Sequence, residues 1–227
     1  MLSKMDMMKF LFPVIVAAII TGCSGRSGKG KDSSALQTEI IAEKDSNSIF
    51  DGKTLDGWEI TNFGPQGPVY VSGGEITLGM GDGCTGITWK GEFPEVNYKV
   101  TLEAMRVAGN DFFCGMTFPV GKEPCTLIVG GWGGTVVGLS SIDGLDASEN
   151  ETSTQMLFEK NRWYKICLAV KLDTIRAFID DSLVVNFIRK DEVLSIRPEV
   201  ELSKPFGIAS WNTTAALQNI KLERIKE

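Results

Sequence analysis

Across 227 residues the chain carries 23 Lys and Arg against 29 Asp and Glu, a formal net charge of −6, and it has no histidine. An acidic chain without a basic block excludes nucleic acid as a natural partner, because phosphates demand clustered Lys and Arg; neutral or cationic ligands fit better. The absence of imidazole removes His-dependent triads and His-ligated zinc, so any acid–base chemistry falls to carboxylates, Lys, Tyr, Cys or a hard metal ion.

In chain order the first element is a targeting segment. Lys4 and Lys9 precede an uninterrupted apolar stretch from Phe10 to Ile20, followed at once by Thr21-Gly22-Cys23. That stretch is too short to span about 30 Å of hydrocarbon but has the length of a signal peptide. The small residue before the cysteine resembles the lipobox of bacterial lipoproteins, with Ile20 where Leu is usual. The resemblance implies residues 1–22 as a signal peptide, lipidation of Cys23 and a membrane anchor at the cell envelope. Ser24 after the cysteine points to the outer membrane of a Gram-negative cell, on its periplasmic or outer face. Residues 23–48 then read as the lipidated Cys and a tether rich in Ser, Gly, Lys and Asp. Four further cysteines, Cys84, Cys114, Cys125 and Cys167, permit two disulfides in three connectivities outside the cytoplasm, or remain thiols.

From Ile49 the pattern changes to short apolar runs broken by Gly, Asn, Asp and Pro, with no helical stretch of ten or more residues. Tyr98, Val100, Leu102 and Ala104 alternate with polar or long side chains, as do Tyr164, Ile166, Leu168, Val170 and Leu172, which predicts strands with one buried face. Phe112 to Pro119 and Cys125 to Gly130 predict a hairpin turning at Val120 to Glu123. Ile175 to Ile179 and Leu183 to Ile188 predict a second, turning at Asp180-Asp181. Phe206 to Trp211 and Leu217 to Ile225 supply closing strands. About a dozen strands without internal repeats predict an all-β, antiparallel two-sheet sandwich as one domain over residues 49–227.

The domain opens with Phe50-Asp51-Gly52-Lys53-Thr54-Leu55-Asp56-Gly57-Trp58. This nine-residue run resembles the signature of the 3-keto-disaccharide hydrolase domain family, a concanavalin A-like jelly roll. Leu102-Glu103 leading toward Arg106, Arg162-Trp163-Tyr164, Ala177-Phe178-Ile179-Asp180 and Asn219-Ile220-Lys221-Leu222 extend the similarity to the end of the chain. Asp111 to Gly115, Gly130 to Gly134 and Ser141 to Asn150 resemble a planctomycete-type variant. The chain departs from the better characterised form at Asn110-Asp111, at Leu127 to Val129, where that form has an acidic residue, and at Ser210-Trp211-Asn212, where it closes on His-Gly.

The resemblance implies cleavage of glycosides already oxidised to a ketone at C3. The ketone acidifies the C2 hydrogen, a carboxylate removes it, the aglycone leaves from C1, and water adds. Such a route needs a general base and a group to hold the enolate oxygen. On that basis the candidate catalytic residues are Glu103 as base, Asp111, and Arg106 at the oxyanion. Candidate ligand-binding residues are Trp132, flanked by two Gly pairs that leave its indole face open to a sugar, and Asp143, Asp146, Glu149 and Asn150, oxygen ligands in one loop that also suit Ca²⁺ or another divalent metal. Trp211 and Asn212, in place of the closing His-Gly, complete the set, although Trp211, like Trp58, Trp89 and Trp163, also has the character of a core residue. Two functions follow, an envelope enzyme acting on 3-keto-glycosides or a non-catalytic carbohydrate-binding module. The first expects converging carboxylates and a cation in a cleft; the second expects an aromatic platform.

Overall fold

In a computed structural model, which describes residues 46–226, fourteen strands form two antiparallel sheets of seven. In sheet order the first is β1 (Trp58–Ile60), β4 (Cys84–Trp89), β13 (Gly207–Trp211), β6 (Cys114–Val120), β7 (Glu123–Gly131), β8 (Val136–Ser140) and β9 (Thr154–Gln155). The second is β12 (Ser182–Ile188), β11 (Thr174–Ile179), β10 (Trp163–Val170), β5 (Tyr98–Gly109), β14 (Thr213–Arg224), β3 (Glu75–Leu78) and β2 (Val69–Ser72). Chain neighbours change sheet repeatedly, as in a jelly roll. The described residues contain one short 3-10 helix, Pro198–Ser203, and no helix long and apolar enough to cross a membrane. The expected signal peptide, Cys23 and nearly all of the tether lie outside the described residues.

The alternation read from sequence is the alternation of the sheets. On β5, Tyr98, Val100, Leu102 and Ala104 are buried, while Lys99, Thr101 and Glu103 face outward. On β10 the same holds from Tyr164 to Val170, but Leu172 falls past the strand end and is 60% exposed. The core between the sheets includes Phe113, Phe118 and Phe206, each worth about 1.5–3 kcal/mol buried rather than exposed. Buried tyrosines keep their hydroxyls satisfied: Tyr98 donates to the Pro119 carbonyl at 2.6 Å, and Tyr164 accepts from the Glu159 N–H at 2.7 Å.

Both predicted hairpins are present. The β11–β12 turn uses Asp180 and Asp181, both at positive φ (48° and 64°), the backbone that a two-residue turn of matching twist requires. In β6–β7, Cys114 lies opposite Val129 and Cys125 opposite Phe118, so both sulfurs enter the core at different levels of the ladder. All four described cysteines are free thiols, and burial pushes Cys114 and Cys125 each up to about 12.

The opening signature leads into β1, the edge strand of the first sheet. Asp51 Oδ1 accepts the Lys53 and Thr54 N–H groups, both at 2.8 Å, which folds the acidic turn on itself. Gly57 sits at φ +81°, and a Cβ there would lie 2.5 Å from the Trp89 ring. Trp58 is buried, packs edge-on against Trp89 at 5.2 Å and donates its indole N–H to the Ile49 carbonyl at 2.8 Å.

Candidate functional site

The first sheet turns Ile208, Met116, Leu127 and Leu139 into the core. By alternation its outward face carries Gly86, Ala209, Gly115, Thr117, Thr126, Gly138 and Ser140. All seven are buried, and of them Thr126 and Ser140 form the floor of a cleft. The stretch from residue 189 to 203 forms a wall beside it and is stitched to the 141–143 loop. Ser141 N–H donates to the Ser195 carbonyl at 2.7 Å and Ser195 N–H returns to Ser141 at 3.1 Å. Asp143 carries its share: its N–H meets the Val193 carbonyl at 2.9 Å and its carboxylate accepts the Val193 N–H at 2.8 Å.

Between floor and wall lies an open cleft with a cavity volume of about 200 Å³. Its apolar lining comes from Phe112, Trp132, Trp211, Ile128, Val200 and the buried Cys84, whose thiol is pushed up to about 12 by burial and then by Glu199. Its polar lining comes from Asp111, Thr126, Ser140, Arg197 and Glu199. Phe112 joins the two small apolar clusters beneath the cleft, one with Cys84, Val200 and Ala209, the other with Ile128, Val136 and Ala147. Trp211 is tied to the same bracket, its N–H donating to the Phe112 carbonyl at 3.0 Å.

Trp132 stands on the turn between β7 and β8 at φ +46°, 40% exposed. A non-glycine residue held in that region implies a turn fixed by its surroundings. Here Arg106 fixes it from the core side: Nη2 donates to the Gly134 carbonyl at 2.7 Å. A Cβ at Gly134 would lie 2.7 Å from Arg106 Nη1, so the turn passes where only glycine fits. Arg106 is 5% exposed and lies over the rings of Phe113 and Phe158, at 5.3 and 5.8 Å. Burial draws its pKa below the usual guanidinium value, Tyr164 and Asp111 opposing.

Asp111 closes the same corner. Its N–H donates to Thr213 Oγ1 at 3.1 Å, its Oδ1 accepts the Phe112 N–H at 2.7 Å, and its Oδ2 lies 3.5 Å from the Gly133 N–H. On the opposite wall Arg197 is held by two carboxylates: Nη1 by Asp146, and Nη2 by Glu199 at 2.9 Å. Its hydrogen bonds hold the Glu199 carboxyl below the usual range. Asp146 also accepts the Ser140 and Ser141 hydroxyls at 3.1 and 3.2 Å.

The structure therefore gathers Asp111, Trp132 and Trp211 into one cleft and sets Asp146 at its edge through Arg197. It does not bring Glu103 there. Glu103 lies on the outer face of the second sheet, beyond the core, and accepts from Gln218 at 2.6 Å and Asn219 at 3.2 Å. Arg106, three residues on, points the other way into the core, because an odd separation on a strand reverses the face. Asp143 stitches the wall. Glu149 is exposed in a turn where its N–H bonds the Asp146 carbonyl at 2.9 Å. Asn150 is 7% exposed and fully engaged by backbone and Thr152. Asn212 shapes the turn after β13 at φ +43°, exchanging bonds with Gly83 at 2.8 and 3.0 Å. Among the described residues no group of three or more Asp, Glu or Cys side chains is placed to hold a metal ion, and the carboxylates of Asp143 and Asp146 are engaged by Val193 and Arg197. Phe112, Thr126, Ser140 and the Arg197-Pro198-Glu199 segment also border the cleft, and the local sequence pattern does not single them out as a site. The nearest to a signal is Arg197-Pro198-Glu199 itself, opposite charges bracketing a proline.

No curated protein matches the chain in sequence. Among solved structures it is similar to a protein of unknown function with galectin-like fold from Bacillus subtilis (TM-score 0.55, 8% identity, covering 76% of this chain and 92% of that one). It is also similar to the carbohydrate binding module CBM66 from Bacillus subtilis (0.51, 18%, 74% and 95%) and to the laminarinase from Flavobacterium sp. UMI-01 (0.52, 16%, 78% and 98%). At these identities the likeness concerns the fold, a jelly-roll sandwich. Residues 45–223 match the model of the 3-keto-alpha-glucoside-1,2-lyase-like domain, and the chain belongs to that family.

Proposed function

We propose that the domain binds a saccharide in the cleft on the outward face of the first sheet, a sugar ring lying against Trp132 with Trp211 and Phe112 alongside. The observation that carries this reading is the meeting, in one cleft, of a half-exposed indole on a fixed turn with two more aromatic rings and hydroxyl and carboxylate groups at their edges. Sugars present C–H faces to aromatic rings and hydroxyls to polar rims. The family, and similar folds that include a carbohydrate binding module and a laminarinase, support a glycan-related role. The test is titration of the full chain with neutral oligosaccharides, followed by Trp fluorescence and calorimetry. Saturable binding that Trp132→Ala weakens at least tenfold supports the reading. Absence of binding to any glycan, or binding indifferent to both Trp132→Ala and Trp211→Ala, overturns it.

A second reading, elimination at a 3-keto-glycoside, is favoured by Asp111, a carboxylate in the cleft with no Lys or Arg ion pair among the described residues. In it Asp111 takes the C2 proton, the C2–H electrons form the enolate, the C1–O bond breaks with loss of the aglycone, and water adds to the enone. Release of aglycone from a 3-keto-glucoside, lost in Asp111→Asn, supports it; binding without release removes it. We further place the domain at the cell envelope, anchored through Cys23. Incorporation of labelled fatty acid that Cys23→Ala abolishes is the expected result, and its absence refutes the anchor.

A further inference from the structure

The charges around the cleft discriminate among saccharides, an inference that rests on the binding reading above. One cation, Arg197, is shared by two carboxylates, Asp146 and Glu199, with Nη1 on the first and Nη2 and Nε on the second. That trio keeps one negative charge in excess, and its guanidinium is already engaged. Asp111 adds a second negative charge across the cleft. Its Oδ1 is satisfied by the Phe112 N–H, but among the described residues Oδ2 has only the Gly133 N–H at 3.5 Å. Arg106 behind it is buried, donates to the Gly134 carbonyl and is coupled to Asp111 through charge alone, with no ion pair between them among the described residues. Gly133 follows Trp132, so the under-satisfied carboxylate oxygen and the exposed indole belong to the same corner.

We infer that the cleft takes a saccharide whose ring carries a protonated amine, in preference to a neutral sugar and against a uronate. The ammonium donates to Asp111 Oδ2, where an N⁺–H···O⁻ bond is stronger than a hydroxyl bond, and the aromatic faces add attraction for the same charge. The ring carbons lie on the indole. A uronate brings its carboxylate between Asp111 and the Arg197 trio, both of them negative.

The experiment compares the methyl glycosides of glucosamine, glucose, N-acetylglucosamine and glucuronic acid on the full chain by calorimetry at low salt. An ammonium hydrogen-bonded to a carboxylate in a half-open site is worth roughly tenfold in affinity. The glucosaminide is expected to bind about tenfold more tightly than the glucoside, the N-acetyl compound to lose that advantage, and the glucuronide to bind weakest. Asp111→Asn brings the glucosaminide-to-glucoside ratio close to one, and raised salt narrows it. If the glucosaminide and glucoside bind alike, the charge inference is overturned and the saccharide-binding reading stands. If none of the four binds, the charge inference is overturned, and the oligosaccharide titration above decides the saccharide-binding reading.

Discussion

Replacement of Asn150 tests whether the loop that follows β8 is a ligand set or scaffolding. Its Nδ2, with two hydrogens, lies within donor reach of three carbonyls, those of Leu139 (2.7 Å), Leu145 (3.1 Å) and Asp146 (2.9 Å), two of which share one N–H. Its Oδ1 accepts the Thr152 N–H at 3.0 Å and the Thr152 hydroxyl at 2.6 Å. Asn150→Ala leaves those partners in a buried setting without the side chain that ties them. At about 1 kcal/mol net per lost bond, with water recovering part of the set, the cost is about 3–5 kcal/mol. For a domain of this size each kcal/mol moves Tm by about 2–4 °C, so a fall on the order of 10 °C is expected. Asn150→Asp separates the two roles further. It keeps the acceptor but sets a second oxygen against three carbonyls, so scaffolding predicts a loss as large as that of Ala. The assay is thermal unfolding by circular dichroism, with saccharide titration at a temperature where both variants remain folded. A variant that keeps its Tm within about 2 °C yet loses saccharide binding would refute the scaffolding argument and restore Asn150 as a ligand.

The remaining expectations concern the cleft, its far side and the core. Glu103→Gln, beyond the core from the cleft, is expected to leave saccharide affinity within about twofold and to alter stability by less than about 1 kcal/mol; a large loss of binding or turnover would place a second site on that face. Gly134→Ala puts a Cβ at φ +105°, 2.7 Å from Arg106 Nη1 and 2.8 Å from the Asn110 carbonyl. It should cost about 1–3 kcal/mol and weaken binding through displacement of Trp132, read as a shifted Trp emission. Alkali should destabilise the fold. The Cys114 and Cys125 thiols titrate at about 12 when folded against an ordinary 9.0, so between those values the unfolded chain loses protons that the native one keeps. Stability contributed below pH 9 is then lost as pH rises, and the alkaline fall in Tm should shrink in a Cys114→Ala, Cys125→Ala variant.

Much of the architecture is legible in the residues because a strand has a short period. Tyr98 to Ala104 and Tyr164 to Val170 announce one buried face each, and Asp180-Asp181 announces the turn that joins β11 to β12, since these patterns are local and demand only alternation and backbone sterics. The opening signature announced the family, and Asp51, Gly57 and Trp58 build the turn and edge strand that begin the domain rather than its cleft. Even the separation of Glu103 from Arg106 was available, since three residues along a strand reverses the face.

What the sequence could not supply is which distant segments meet on one face. Asp111 follows β5, Trp132 leaves β7, Arg197 precedes the 3-10 helix and Trp211 ends β13, and they meet because β13 lies between β4 and β6 while the 189–203 wall is stitched to the 141–143 loop. Pairing of β13 between strands remote in the chain is a long-range choice made by the packing of the whole core, and no local pattern encodes it. The same holds for the carboxylates of the 143–149 loop. Their spacing suggests a cation site, but only the tertiary contacts commit Asp143 to Val193 and Asp146 to Arg197 and two serines. The residues thus specified two sheets and their faces, while the third dimension decided which residues share a cleft and which of its charges are left unpaired.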